Sequence, residues 1–569
     1  MKNINTEPTP STKLCFSGAQ LLIKLLERQG VTHISGIPGG ANLPMYDALT
    51  DSDIKHVHVR HEQGAGFIAQ GMARATGKAQ VCFASSGPGA SNLITAIADA
   101  KLDSVPVIAI TGQVPLNMIG TDAFQEIDTF GLMLPITKHN WIVRSAEELL
   151  EIIPLAFQIA LSGRPGPVSI DIPKDVQNQQ IEIEFFPEPG KAEPAPVFES
   201  QQVEDMLQQI RQAERPVLIA GGGIVYAGAA EQLREFAEKL DLPIVQTFMG
   251  LGLLAFDHPL SLGMLGMHGA PFTNMIMEEC DLVIALGMRF DDRATGKVAD
   301  FCPEASIIHV DIDASEMGKI MNPTLSILAD VGEVLQQANT ILQPCTRPLW
   351  QQRVSQLKQN HPLVLDGEND LFRPYGAIKA VAAIVDDSVN VTTDVGQHQM
   401  WVAQAYPFSR PRQWVSSGGL GTMGFGLPAA IGMALAQPQR KVICFTGDGS
   451  LMMNIQELAT AAEQDLDIKI IILNNKNLGL VRQQQNLFYK NNLSAVKFQQ
   501  HVNFTLAAQA MGVKGIDLSQ SENPHDELAA ALLEPGACVI NIPISEDEMV
   551  FPMVAPGGAN KDMIHGAIA

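Results

Sequence analysis

Short, uniformly apolar runs bounded by Gly and Pro recur through this chain and alternate with stretches of helical period, and that alternation leaves few folds open. Between residues 16 and 173, VCFAS, VPVIAIT and PVSIDI are separated by helical stretches such as GAQLLIKLLERQG and EQGAGFIAQGMARATG. A run apolar at every position is a strand buried on both faces, and a helix between successive strands makes them parallel. The pattern returns as PVLIA, LPIVQT, DLVIAL and IIHVDID, and again as VNVTTD, KVICFTGDG, IKIIIL and CVINI. An α/β protein with three doubly wound parallel-sheet domains in series is the expected fold, and at roughly 150 residues per domain the length of 569 agrees. FFPEPGKAEPAPVFES concentrates Pro and Glu without apolar period, as a linker does. The expected divisions are a domain over 14–185, a linker over 186–200, a middle domain over 201–345, a linker over 346–371, a third domain over 372–545 and a tail over 546–569.

Charge narrows the partners. Lys and Arg number 38 against 61 Asp and Glu, a formal charge of −23, and so acidic a chain repels nucleic-acid phosphates and anionic lipid headgroups. The seven cysteines form no C-x-x-C pair, which argues against a disulfide framework or a thiolate metal site and suits a reducing cytoplasm. The N-terminal MKNINTEPTPSTK is polar and reads as neither signal nor transit peptide. The uncharged stretch Gln413 to Gln439 is rich in Gly, holds Pro428, and reads as loops around a short buried helix instead of a membrane span.

The sharpest local signal is KVICFTGDGSLMMNIQELATAAEQDLDIKIIILNNKNLG. A strand ends in Gly447-Asp448-Gly449, a helix starts near Ser450, and the next strand ends in Asn474-Asn475, 27 positions after Asp448. In a parallel sheet both strand ends reach the same edge, where ligands bind. Glycine on both sides of Asp448 admits close approach, and a helix start offers N–H groups to phosphate. A carboxylate and an amide oxygen beside a diphosphate form a hard-oxygen set suited to Mg²⁺. Taken singly, Gly-Asp-Gly is a turn and Asn-Asn a helix cap; the pair at this spacing is more specific.

That pair resembles the diphosphate signature of thiamine-diphosphate (ThDP) enzymes. The resemblance implies that Asp448, Asn475 and the main-chain carbonyl of Asn477 hold Mg²⁺, and that a glutamate against the cofactor's pyrimidine promotes loss of the thiazolium proton. Glu62, after the strand KHVHV and at a helix start, stands where that residue belongs. Over nearly the whole length, SGIPGG, HEQGAGFIAQGMAR, GPGASNLITAIADA, GQVPLNMIGTDAFQE, SGRPGPVSIDIPKDV, GMLGMHG, RFDDR, DVGQHQMW and SGGLGTMGFGLPAAIG look like the large catalytic subunits of acetohydroxyacid (acetolactate) synthases. Members of that family decarboxylate pyruvate and add the hydroxyethyl unit to a second pyruvate or to 2-ketobutyrate, the first common step toward valine, leucine and isoleucine.

Further roles follow only from that resemblance. Gly39 and Gly40 would present backbone near the reacting centre, and Gln125 and Lys174 would reach the site from the first domain of a partner subunit. ThDP would be lined by Val395, Gly396, Gln397, His398, Gly421, Met423, Gly447, Gly449, Ser450, Gly479, Leu480 and Val481, Met423 being the wedge that bends it. RFDDR resembles the segment of FAD-containing biosynthetic members. It implies FAD on Arg164, Gly221, Gly222, Gly223, Gly266, Met267, His268, Gly269, Gly287, Arg289, Asp291, Arg293, Asp311, Ile312 and Asp330, although GGGIVYAG is no G-x-G-x-x-G fingerprint. A homo-oligomer of at least two copies and a separate regulatory small subunit are also implied. The chain departs from the family at Gln484, where a Trp is usual, at Leu480 and at Ile37. Gln484 removes a flat apolar wall for the extra methyl of 2-ketobutyrate, so a weaker preference for that substrate is expected. The rival closest in chemistry is a pyruvate oxidase, with FAD as redox partner; RFDDR and TDAFQE stand against it, and Glu62 stands against a glyoxylate carboligase.

Overall fold

Strands such as Val107–Gln113 and Ile468–Asn474, buried at every residue, cannot face water on either side and need helices over both faces. In the computed structural model, which describes residues 14–566, they lie at or near the centre of six-stranded sheets. These residues fall into two units, one of 14–73 with 78–193 and the other of 74–77 with 194–566. The N-terminal stretch read above as neither signal nor transit peptide lies outside them, as do the last three residues of the expected tail.

In the first unit the spatial order is Lys55–His58, His33–Gly36, Gln80–Ala84, Val107–Gln113, Val168–Pro173 and His139–Ile142, all parallel. A separate antiparallel pair, Leu14–Ser17 with Gln180–Ile183, brings in the opening helix Gly18–Arg28. That helix starts on a reciprocal cap between Ser17 and Gln20 and buries Leu21, Leu22, Leu25 and Leu26.

The second unit holds two sheets. The middle one runs Ser261–Met264, Ile244–Gln246, Pro216–Ala220, Leu282–Leu286, Ser306–Asp311 and Leu325–Leu328, and the other runs Trp414–Val415, Asn390–Thr393, Val442–Gly447, Ile468–Asn474, Cys538–Pro543 and Lys514–Asp517. Numbered along the chain within each sheet, the middle order is 3-2-1-4-5-6, the doubly wound order of dinucleotide-binding domains. The first and third sheets share another order, 2-1-3-4-6-5. In each, the order reverses beside the sheet's first strand, and the crevice at that reversal opens beyond the strands' carboxyl ends.

Two stretches expected to be linker and tail carry packed structure of their own. The stretch 346–371 is not only a linker: Pro348–Asn360 is a helix whose Trp350, Val354 and Leu357 are buried in the core on one side of the middle sheet. The indole Nε1 of Trp350 donates to the Pro216 carbonyl at 3.1 Å, an internal partner that a solvated linker would lack. Nor does the chain beyond 546 trail away. Val550, Met553 and Val554 are buried, the Val554 N–H donates to the Met267 carbonyl at 2.9 Å, and the Asn560 amide donates to the Ala294 carbonyl at 2.9 Å. The stretch Gln413 to Gln439 does contain the short buried helix Gly426–Ala436, and no helix among the described residues is long and apolar enough to cross a membrane. No disulfide occurs among those residues; all seven cysteines are free thiols.

At the reversal in the middle sheet, glycine lies on glycine. The Gly221 N–H donates to the Leu286 carbonyl at 2.9 Å and that of Gly223 to the Gly287 carbonyl at 3.0 Å, with Gly287 at φ +59°. A Cβ on Gly221 would fall 2.1 Å from the Gly287 oxygen, a backbone atom that cannot swing aside. Gly221→Ala is therefore expected to cost about 1–3 kcal/mol, read as an earlier urea midpoint in far-UV circular dichroism. An unchanged midpoint would show that the crossing yields without cost.

Candidate functional site

In the third sheet the register pairs Gly447 with Leu473, so the loops after Val442–Gly447 and Ile468–Asn474 leave the same edge side by side. Asp448 opens a helical turn there and is buried; backbone N–H groups, among them those of Gly449 and Lys476, donate to its carboxylate, while burial pushes its pKa up to about 6. Asn475 is buried as well: its amide donates to Gln397 Oε1 at 3.0 Å, and its side-chain oxygen accepts the Asn477 N–H at 3.2 Å. Gln397 Nε2 donates to Gln483 Oε1 at 3.0 Å and to the Glu548 carbonyl at 2.8 Å, so the amide cluster is tied to the core. At this edge Oδ1 of Asn477 and Nε2 of His398 are buried with no hydrogen-bond partner among the described residues. Burial lowers the His398 pKa to about 3, which keeps the ring neutral.

This donor set fits the expected group. A buried carboxylate, amide oxygens and an unpartnered Asn477 oxygen are the hard ligands that Mg²⁺ takes. Glycine is required around them: a Cβ on Gly479 would lie 1.9 Å from Gln397 Oε1, and one on Gly449 2.7 Å from Leu478 Cδ2. Gly396 and Gly447 flank the His398 ring, and Ser450 Oγ accepts the Gly447 N–H at 3.2 Å.

One organiser was absent from the residues singled out in sequence. Asp394, buried and with its pKa raised to about 6 by desolvation, accepts N–H groups from Val395 at 2.9 Å, Gly424 at 2.7 Å and Gly426 at 3.3 Å. It thereby fixes the loop that carries Gly421 and Met423. Its sequence signals were its place at the end of the strand VNVTTD and at the head of DVGQHQMW. Met423 and Leu480 are half-buried and Val481 is 47% exposed, so none of the three is interior packing. Gln484 is half-buried on the helix Gly479–Phe488.

In the first unit, Glu62 opens the helix Glu62–Thr76 and is half-buried. Its Oε2 accepts the Asn92 amide at 2.9 Å, a partner that sequence reading passed over although Asn92 lies in GPGASN. A Cβ on Gly89 would sit 3.4 Å from Glu62 Oε1, and one on Gly39 2.5 Å from Ser85 Oγ. Gly39, Ser85, Gly89 and Glu62 thus gather at the reversal of this sheet. The Gly39 N–H donates to Asn42 Oδ1 at 2.7 Å, shaping the Ile37 to Gly40 turn, while a Cβ on Gly40 would meet open space. Gln125 is exposed and left-handed, at φ 60°, with its backbone against Gly87. Lys174 is half-buried at the carboxyl end of Val168–Pro173, two strands from Gln80–Ala84. Arg164 belongs to this unit and donates to Ser104 Oγ at 2.8 Å.

The residues expected to hold FAD otherwise belong to the second unit. Gly221, Gly222 and Gly223 lie at the reversal of a sheet with dinucleotide-binding order, facing Gly287. Gly266 (φ +94°) packs against the Arg293 carbonyl, which accepts the Met267 N–H at 2.9 Å, and Gly269 closes the turn on the Gly266 carbonyl. His268 is buried, donates from Nδ1 to the Pro552 carbonyl at 3.0 Å, and has its pKa lowered to about 4 by burial. Several carboxylates already have structural work: Asp291 caps Asp292–Thr295, Asp330 caps Val331–Ile341, and Asp311 accepts the Asp313 N–H at 2.9 Å beside Ile312. Arg289 is half-buried and Arg293 exposed, its Nη1 3.6 Å from the Met267 sulfur. A cavity of about 200 Å³ opens between Met267, Asp292, Arg293 and the segment Val554 to Gly557.

Comparison with known proteins agrees with this anatomy. Residues 16–132 match the N-terminal TPP binding domain of thiamine pyrophosphate enzymes, 203–338 their central domain and 394–542 their C-terminal TPP binding domain. The acetolactate synthase isozyme 1 large subunit of Escherichia coli K12 is 56% identical over 557 residues, covering 98% of this chain and 99% of that protein. The isozyme 2 large subunit of the same organism is 45% identical over 96% of this chain and 99% of its own length, and a probable acetolactate synthase large subunit of Methanocaldococcus jannaschii is 45% identical over 95% and 94%. With three matching domains in the same order and identity that runs almost end to end, the chain belongs to the acetolactate synthase large-subunit family of thiamine pyrophosphate enzymes.

Proposed function

We infer that this chain is the catalytic subunit of an acetohydroxyacid synthase. It decarboxylates pyruvate and transfers the two-carbon unit to a second pyruvate, giving 2-acetolactate, or to 2-ketobutyrate, giving 2-aceto-2-hydroxybutyrate, at the first common step of branched-chain amino-acid synthesis. The observation that carries this reading is the gathering of Asp448, Asn475 and Asn477 at one sheet edge in a chain that also keeps Glu62 at the reversal of its first sheet. The proposed domains are 14–185, 201–345 and 372–545, joined through 186–200 and 346–371 and followed by 546–569. A homo-oligomer, a regulatory small subunit and a cytoplasmic setting complete the proposal.

Thiamine diphosphate, when bound, supplies an acidic ring carbon and an electron sink. Asp448 and the two asparagines would hold Mg²⁺ for its diphosphate. Glu62 would hold and exchange a proton at the pyrimidine, its carboxylate oriented by the Asn92 amide. Met423, on the loop fixed by Asp394, would pack against the cofactor. FAD would lie along the glycine crossing of the middle sheet, held by Arg289, Arg293 and the Gly266–Gly269 turn, without net redox work in the main reaction.

Acetolactate formation from pyruvate is expected to require ThDP, Mg²⁺ and FAD, each omitted in turn, with little oxygen consumed. Oxygen uptake in place of acetolactate would instead mark a pyruvate oxidase. Glu62→Gln is expected to lower kcat by about 10²–10⁴-fold with diphosphate-dependent cofactor binding retained; activity near wild type would remove Glu62 from its role. In competition at equal pyruvate and 2-ketobutyrate, the wild-type chain is expected to make the two products in comparable amounts, and Gln484→Trp to shift the ratio toward acetohydroxybutyrate by roughly fourfold, the worth of about one methylene. A strong excess of acetohydroxybutyrate from the wild type would sink that expectation.

A further inference from the structure

The loop between the strand Val107–Gln113 and the helix Thr129–Met133 carries Gln125 and has an unusual backbone. Gly120 (φ 81°), Asp122 (φ 57°) and Gln125 (φ 60°) are all left-handed, a conformation that strains a non-glycine residue by bringing its Cβ close to backbone oxygen. One side chain holds this shape. Glu126 Oε1 accepts the Gly120 N–H, and Oε2 accepts those of Thr121 at 3.2 Å and Ala123 at 3.1 Å, while the Glu126 N–H returns to the Ala123 carbonyl at 2.9 Å. The same donors hold the Glu126 carboxyl below the usual carboxylate range. Three N–H groups of the loop are thus collected by one anion, that of Thr121 being shared with the Met118 carbonyl at 3.3 Å.

The loop is also seated on the site. The Gln125 carbonyl oxygen and Cα lie 2.7 and 3.0 Å from where a Cβ on Gly87 would stand, so only glycine there admits it. Two residues on, Gly89 stands against Glu62, whose carboxylate accepts the Asn92 amide. At the loop's far end, Gln113 Nε2 donates to the Ile127 carbonyl at 3.2 Å and to the buried Asp171 at 2.8 Å, and Thr111 donates to the other Asp171 oxygen at 2.7 Å. The end is pinned to the sheet; in the middle the Thr121 hydroxyl donates to the Met118 carbonyl at 2.7 Å and Glu126 gathers the N–H groups around it.

We propose that Glu126 is a positioning residue: by gathering the N–H groups of Gly120, Thr121 and Ala123 it sets the left-handed backbone at Gln125 and fixes where that side chain stands relative to Glu62. This rests on the reading of Gln125 as a residue of the active site. A glutamine at 126 cannot replace the carboxylate, because its single oxygen serves one side of the loop and its NH₂ meets the N–H groups of the other.

The test compares Gln125→Ala, Glu126→Gln, Glu126→Asp and the double variant Gln125→Ala/Glu126→Gln in the enzyme saturated with ThDP, Mg²⁺ and FAD. It reads kcat and KM for pyruvate, cofactor dissociation constants by fluorescence, and melting temperature. Glu126→Gln is expected to lower kcat/KM about tenfold to hundredfold, with cofactor affinity and melting temperature unmoved and Glu126→Asp recovering part of the loss. The double variant is expected to be no worse than Gln125→Ala. Wild-type kinetics for Glu126→Gln beside an impaired Gln125→Ala would overturn the proposal alone. So would a double variant whose loss is the product of the two single losses, or a Glu126→Gln loss that follows melting temperature. Wild-type kinetics for Gln125→Ala would overturn the reading of Gln125, and the proposal with it.

Discussion

A parallel strand cannot be reached by a tight turn; the chain must cross a face of the sheet and re-enter at the same end. Everything else in this protein follows from that constraint. Eighteen strands in three all-parallel sheets send every strand-to-helix loop to one edge of their sheet, and glycine-rich loops stand where the strand order reverses. Gly39 and Ser85 meet at that place in the first sheet and Gly221 and Gly287 in the middle one. In the third, the Asp394 carboxylate reaches the glycine loop at Gly424 while Asp448 emerges from the neighbouring strand. The first and third sheets share one strand order and the middle sheet has another, so a common construction rule yields two kinds of crevice.

Those edges carry buried charge, and the backbone is arranged to tolerate it. Desolvation raises Asp394 and Asp448 to about 6 and Asp171 to about 7, against hydrogen bonds that pull in the other direction. At Asp394 the donors are main-chain N–H groups of the glycine loop; at Asp171 they are Thr111 and Gln113. Around Asp448 the amides of Gln397, Asn475, Asn477 and Gln483 form a chain in which most groups are paired. A network satisfied to this degree resists rearrangement, and at this edge Oδ1 of Asn477 and Nε2 of His398 are left without a partner among the described residues.

Much of the fold was legible because central parallel strands are apolar throughout: KVICFTG, IKIIIL, DLVIAL and VPVIAIT were all recognisable in the sequence. The edge strands were less so, KHVHV excepted. Trp414–Val415 has two residues, Leu325–Leu328 is partly exposed, and Lys514–Asp517 alternates a charge with a glycine. Each pairs on one side only, so its composition is weakly constrained. The helix Pro348–Asn360 is weakly marked for a related reason, since three buried residues in a polar helix leave little apolar period.

Chemical identity was determined by the sequence itself: Glu62 before a helix, Asp448 between glycines, and Asn475 at the end of the next strand are facts of residue type and spacing, and local period placed each at an element boundary. Which of these boundaries meet was decided by tertiary structure alone. That Asn92 orients Glu62, that Asp394 joins Ser417 and Asn454 in fixing the Met423 loop, and that Glu126 shapes the backbone under Gln125 depend on strand order and on loop backbones crossing in space. Hydrophobic period records which face of an element is buried, whereas a hydrogen bond between two loops distant in sequence is set by how the sheets pack, and no local pattern encodes it.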